Sequence, residues 1–375
     1  MTPSKIKEWT GAWRRYVLLS LLLLAPIYWQ PRIQGGDLSS HLNNAWLTHW
    51  IETGGSDGLL LVHRSTNVLF DLLLAGLFQI FNAEFAQRIA VSIAVLTFAW
   101  GAFAFVSVVA GRRPWHLFSC IAMFAYGWVF HMGFFNFYLS LGLCFWVLSL
   151  TWEATPRRIA LAVPLGLLAY VAHALPFLWM AVLVAYLFVA RRVSQRVRAD
   201  VTAASLLLML GIHLWAGGTA IHLWSPLASG LSTGSDQAWL FDGKYYLVLI
   251  GLLVAWGLMF LEMLHSSGAR RIASSLPFQI CILSAMGVLL LPTTILIPGL
   301  NHALVYIAER MSLGVAICVC AFLGPVQPHP RIRFGLLLVA LVFFGFLYGD
   351  ERKLNSYEDQ QQDTVAQAAF PAIHQ

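Results

Sequence analysis

Long apolar runs alternate with short polar clusters along the whole chain. Each run approaches the ~20 residues that a helix needs to cross the hydrocarbon core of a bilayer. They predict spans at about 16–29, 89–110, 117–132, 136–152, 159–173, 175–190, 201–217, 245–264, 277–297, 303–323 and 334–348. A weaker run at 64–81 is interrupted by Asp71 and Gln79 and reads as a surface or re-entrant helix. The fold expected is an all-α polytopic membrane protein of about eleven transmembrane helices. Its long first outer loop, 30–88, would carry surface helices.

The polar clusters set the orientation. Lys5, Lys7, Arg14 and Arg15 precede the first run, and basic residues mark the cytoplasmic side of membrane helices. With the N-terminus inside, Arg112/Arg113, Arg157/Arg158, Arg191/Arg192, Arg270/Arg271 and Arg331/Arg333 all fall in cytoplasmic loops. Three regions follow: 1–217, a seven-span module with its outer loop; 218–348, an outer loop and four further spans; and 349–375, a polar, Gln-rich tail expected to be disordered. The turn-rich segment 218–244 suits a lid over a cavity. The first run follows a basic stretch as a secretory signal would, but Tyr-Trp-Gln-Pro-Arg comes after it, so an uncleaved span is expected.

Composition narrows the class. Of 375 residues, 59% are hydrophobic and 11% charged, with a mean hydropathy of +0.72. Soluble domains carry about 25% charged residues, so little sequence remains for one here. The net charge of +6 reports membrane orientation and not a nucleic-acid partner, because most of the 23 basic residues lie on one side. All five cysteines lie within apolar runs, so no disulfide framework is expected.

Candidate chemistry gathers at Gly35-Gly36-Asp37-Leu38-Ser39-Ser40-His41, just after the first span. Two glycines permit a sharp turn, and the apolar positions after Asp37 recur at helical spacing. A helix beginning at Asp37 would put Asp37 and His41 on one face, a carboxylate beside an imidazole. An Asp in that place also suits a helix N-cap. Glu309 and Arg310 lie about two turns into the tenth span, where charge is costly. They either neutralise each other or serve a substrate, since an Arg there can bind a lipid-linked phosphate. Arg64 could add to such a site. Asn136 and His131, in the aromatic run 130–138, offer hydrogen bonds to a substrate or to a neighbouring helix. No metal-type spacing appears beyond the Asp37/His41 pair, so no cofactor is required and a divalent metal stays open.

A first span followed by Gly-Asp-x-x-x-His, two surface helices in the first outer loop and many further spans resembles the GT-C superfamily of integral-membrane glycosyltransferases. The resemblance covers roughly the first 217 residues. It implies transfer of a sugar from a polyprenyl-phosphate donor to an acceptor at the outer face of the membrane. It further implies a catalytic role for Asp37, assisting the acceptor or orienting a metal, with His41 beside it; the role expected here is general base, and Arg310 matches a phosphate-binding residue by location. The chain departs from better-known members in lacking a second acidic residue beside Asp37 and a soluble C-terminal domain. The partners expected are a polyprenyl-phosphate-linked sugar and the lipid bilayer, and an Arg-rich, Lys-poor chain suits a bacterial inner membrane. Two other classes stay open: a transporter or flippase of a lipid-linked or anionic substrate built on Glu309/Arg310, and a non-catalytic partner in an envelope-polysaccharide complex.

Overall fold

The computed structural model describes residues 3–54, 58, 61, 64–217, 221–223, 228–296 and 304–367. In chain order the helices are α1 (Pro3–Tyr28), α2 (Leu38–Glu52), α3 (Leu69–Phe78), α4 (Ala83–Ala110), α5 (Phe118–Ala125), α6 (Trp128–His131), α7 (Phe135–Thr151) and α8 (Pro156–Ala172). There follow α9 (Ala174–Ala190), α10 (Gln195–Gly217), α11 (Ala228–Leu231), α12 (Tyr246–Ser267), α13 (Ala269–Ala273), α14 (Leu276–Leu290), α15 (Ile307–Leu323) and α16 (Pro330–Gln367).

Among the described residues, four helices are long and apolar enough to cross a membrane: α4, α10, α12 and α16. The apolar helices α3, α7, α9 and α14 are shorter, at 10–17 residues. Length and hydropathy thus mark four spans where the sequence pattern marks eleven. The expected span 117–132 shows why a run of apolar residues is not always one long helix. It breaks at Tyr126-Gly127 into α5 and α6, because Gly127 lies against the Gln237 carbonyl, only 2.8 Å from where a Cβ would stand. Where helices face outward they present apolar side chains, with Leu207, Leu208 and Leu214 of α10 about two-thirds exposed. Apolar surface of this extent is not kept in water.

The densest packing joins α4 to α7 and α7 to α8. Gly142 of α7 makes the first of these possible, since a Cβ there would stand 2.7 Å from the Phe98 Cα of α4. Asn82 caps α4 by accepting the Phe85 N–H at 2.9 Å. Arg88 of α4 is buried and holds the end of α1, donating to the carbonyls of Ile27, Gln30 and Pro31 and lying over the Tyr28 ring. Cations at helix C-termini satisfy such free carbonyls.

Two expectations need correction. The chain is not purely helical, because β1 (Ile221–Leu223), β2 (Thr294–Leu296) and β3 (Leu304–Val305) form an antiparallel sheet in the order β1-β2-β3. Ile221 pairs with Leu296 and Thr294 with Val305. Pro292 follows α14 and cannot extend it, and the Thr and Ile of β2 favour the extended chain. The tail expected to be disordered is helical as far as Gln367; residues 368–375 lie outside the described part. Its polar residues are partnered: Asp350, Glu351 and Asn355 are buried on one face of α16 against the first loop and the start of α12. The ten-residue α3, about 15 Å long, is too short to span, as expected for the 64–81 run.

Candidate functional site

The Gly35–Asp37 turn is held by the backbone. Gly36 N–H donates to the His131 carbonyl at 2.8 Å and Asp37 N–H to the Met132 carbonyl at 3.0 Å. Gly133 makes this approach possible: its φ is +78°, and a Cβ there would lie 2.3 Å from the Asp37 nitrogen. Asp37 stands at the N-cap position of α2, but its carboxylate makes no capping hydrogen bond. It is exposed and within electrostatic reach of the Arg310 guanidinium.

Arg310 lies in the first turn of α15 with its guanidinium carbon 3.6 Å from the centroid of Phe134, a cation–π contact. Its Nε is buried without a hydrogen-bond partner. Tyr306, at the N-cap of α15 with φ +56°, borders this place, its ring 5.6 Å from Trp128 and 6.2 Å from Phe134. Glu309 points elsewhere: its carboxylate oxygens lie 2.7 and 2.8 Å from Thr293 Oγ1. The adjacent acid and base are therefore not an ion pair with each other.

His41 N–H donates to the Asp37 carbonyl at 3.1 Å, but its imidazole is engaged elsewhere. Its Nδ1 pairs with Asp71 Oδ1 at 2.8 Å, across from α2 to α3. Asp71 Oδ2 accepts from Asn136 Nδ2 at 2.6 Å, which also donates to the Asn67 carbonyl at 3.1 Å. Asn136 Oδ1 accepts the Phe70 N–H at 2.7 Å, so the amide is committed within the protein and anchors the start of α3 on α7. Asp71 is the residue that sequence reasoning passed over, and its only signal was the break it makes in an apolar run.

His131 donates from Nδ1 to the Gln34 carbonyl at 3.1 Å, and its Nε2 lies 4.0 Å from Glu351 Oε1. Arg64 is exposed, just before Ser65 and Thr66, which bond Tyr170 of α8. The structure thus joins His41 to Asp71 and Asn136, leaves Asp37 within electrostatic reach of Arg310 without a direct contact, and puts His131 near α16.

Two cavities bear on these groups. One, of about 900 Å³, lies between residues 32–42 and the C-terminal half of α16, with His131 and Phe241 in its wall. The other is an apolar slot of about 400 Å³ among α9, α10 and α14, whose wall includes Leu175, Trp179, Met209 and Met311. Met311 follows Arg310 directly, and His173, also within electrostatic reach of Arg310, precedes α9.

The segment 218–244, in its described part, is a plug and not a lid. Ser235, Gln237 and Ala238 are buried, and Gln237 donates to the Glu309 carbonyl at 3.0 Å. Asp236 accepts from Ser312 Oγ at 2.6 Å and from Gln237 Nε2 at 3.0 Å. Burial pushes its carboxyl up to about 7, and the nearby Glu309 charge adds to the rise.

Among the described residues no group of three His, Cys, Asp or Glu side chains converges as a metal site would require. No protein-family model, curated protein or solved structure matches the chain.

Proposed function

We propose that this chain is an integral-membrane glycosyltransferase of the GT-C kind, moving a sugar from a polyprenyl-phosphate donor to an acceptor hydroxyl at the outer face of a bacterial inner membrane. In this reading the eleven apolar segments cross the bilayer and the N-terminus is cytoplasmic, so that the Asp37 turn faces outward.

One observation carries the reading. The Asp37 carboxylate is exposed, is not spent on capping its helix, and lies within reach of the Arg310 guanidinium. A base and a phosphate-binding cation are thereby offered to one substrate. Asp37 takes the proton of the acceptor hydroxyl as that oxygen attacks the anomeric carbon. The bond from this carbon to the phosphate oxygen breaks, and polyprenyl phosphate leaves with the electron pair. Arg310 offsets the charge gathering on it. The apolar slot beside Met311 supports the same reading, since an isoprenoid chain needs a groove without polar groups.

The test is release of polyprenyl phosphate by the purified full chain in nanodiscs, given a panel of polyprenyl-phosphate sugars with and without acceptor. Acceptor-dependent release is expected. Transmembrane movement of the intact donor without release would make the protein a flippase instead.

A further inference from the structure

The larger cavity has a lining unlike the slot. Between apolar side chains such as Leu42 and Leu354, its wall carries the Arg32 guanidinium, the Glu358 carboxylate, the Ser39 hydroxyl and the amides of Gln34, Gln87, Gln361 and Gln362. An amide both donates and accepts hydrogen bonds; Gln34 already donates to Glu358 at 3.2 Å and Gln362 accepts from Arg32 at 2.9 Å. Arg32, the one strong cation among the described lining residues, is already engaged, 2.8 Å from Asp359 and 3.7 Å from Glu358. Among the described residues the wall therefore holds no free cation for a phosphate or carboxylate.

Phe241 adds an aromatic surface, 41% exposed, with its ring 5.2 Å from that of His131. His131 lines the same cavity with a side chain only 7% exposed, and its Nε2 has no hydrogen-bond partner. A buried polar atom without a partner in a cavity wall asks for one. The amides of Gln87 and Gln361, a carboxylate already neutralised by Arg32, an aromatic face and an imidazole nitrogen without a hydrogen-bond partner together match the surface of a sugar ring, which has hydroxyls on its rim and C–H groups on its face.

We infer that this cavity binds a neutral oligosaccharide, and that this oligosaccharide is the acceptor. Gly35, Gly36, Leu38 and Ser39 form one wall, on either side of Asp37 in the chain, so a bound glycan lies against the turn that carries the proposed base. The acceptor role rests on the glycosyltransferase reading; the binding does not.

The experiment therefore measures binding alone. Full-length protein in nanodiscs is titrated with β-1,4-linked N-acetylglucosamine and α-1,4-linked glucose oligosaccharides of two to eight units, and with uronic-acid oligomers for comparison, by saturation-transfer NMR. At least one neutral series is expected to bind, with affinity at least tenfold lower in Phe241→Ala and in Gln361→Leu/Gln362→Leu. These side chains are exposed, and melting temperatures equal to wild type show that the variants fold. His131→Phe, which fills the ring's place without Nε2, should weaken binding as well. Asp37→Asn should bind as wild type does. Absence of binding by every neutral series, binding untouched by the cavity variants, or a preference for uronic-acid oligomers each overturns the inference. Binding intact alongside a fully active Asp37→Asn would leave the glycan site standing and remove the catalytic reading.

Discussion

Thr293 Oγ1 lies 2.7 and 2.8 Å from the two carboxylate oxygens of Glu309, which leaves Arg310 to stack on Phe134. Neighbours one apart on a helix point in different directions, so adjacency in sequence gave no pair. Glu309→Gln and Arg310→Met should therefore be nearly additive. A double-mutant cycle on thermal stability should give a coupling below about 0.5 kcal/mol. A coupling of several kcal/mol would restore the mutual ion pair.

Asp37→Asn separates a cap from a base. The carboxylate makes no capping bond, so membrane insertion and melting temperature should match wild type. Loss of a positioned general base typically slows a reaction by about 10²–10⁴-fold, so sugar transfer should fall by at least about a hundredfold. Wild-type turnover in this variant would withdraw the mechanism.

Asn136→Leu should destabilise the protein by at least about 2 kcal/mol, because it strips partners from the Phe70 N–H and from the buried side of Asp71. Protease sensitivity should rise first at α3, which Asn136 anchors. Unchanged proteolysis at residues 67–78 would count against that anchoring role.

Asp236 predicts a pH dependence of stability. Its carboxyl is raised in the folded protein to about 7, so between about 4 and about 7 the folded state holds more protons than the unfolded one. This contribution to stability is complete at the acid end and is lost as pH rises through about 7. The melting temperature of wild type should thus decline across that window relative to Asp236→Asn, which keeps an acceptor for Ser312 without titrating. Parallel pH curves for the two proteins would refute it.

Orientation is open to cysteine labelling on a background lacking the five native cysteines. Ser356→Cys, exposed on the far half of α16, should react with a membrane-impermeant reagent added to intact cells; Ser194→Cys, exposed before α10, should not. The reverse pattern would put the Asp37 turn in the cytoplasm.

Much of the helical plan was legible because apolar periodicity is local. The turn at Gly35-Gly36, the helix after Asp37 and the short α3 were all readable from their own residues. What the pattern could not give was which side chains meet. His41 follows Asp37 by one turn, its N–H on the Asp37 carbonyl, but Asp71 from another helix takes the imidazole, and no local pattern could show that. Arg88 closes the end of α1 from another helix, which no local pattern reveals. Composition likewise misled on the tail: Gln and Asp suggest a solvated chain until Arg32 and Trp29, more than three hundred positions earlier, supply partners.

That last contact spans almost the whole chain, with the Arg32 N–H donating to Asn355 Oδ1 at 2.9 Å. A ribosome delivers residue 32 long before residue 355, and segments made early generally take their shape first. The wall that α16 gives the larger cavity cannot exist during that interval. The pocket is thus completed only once α16 has been made, and until then the nascent chain has this side of the Asp37 turn open to whatever is nearby.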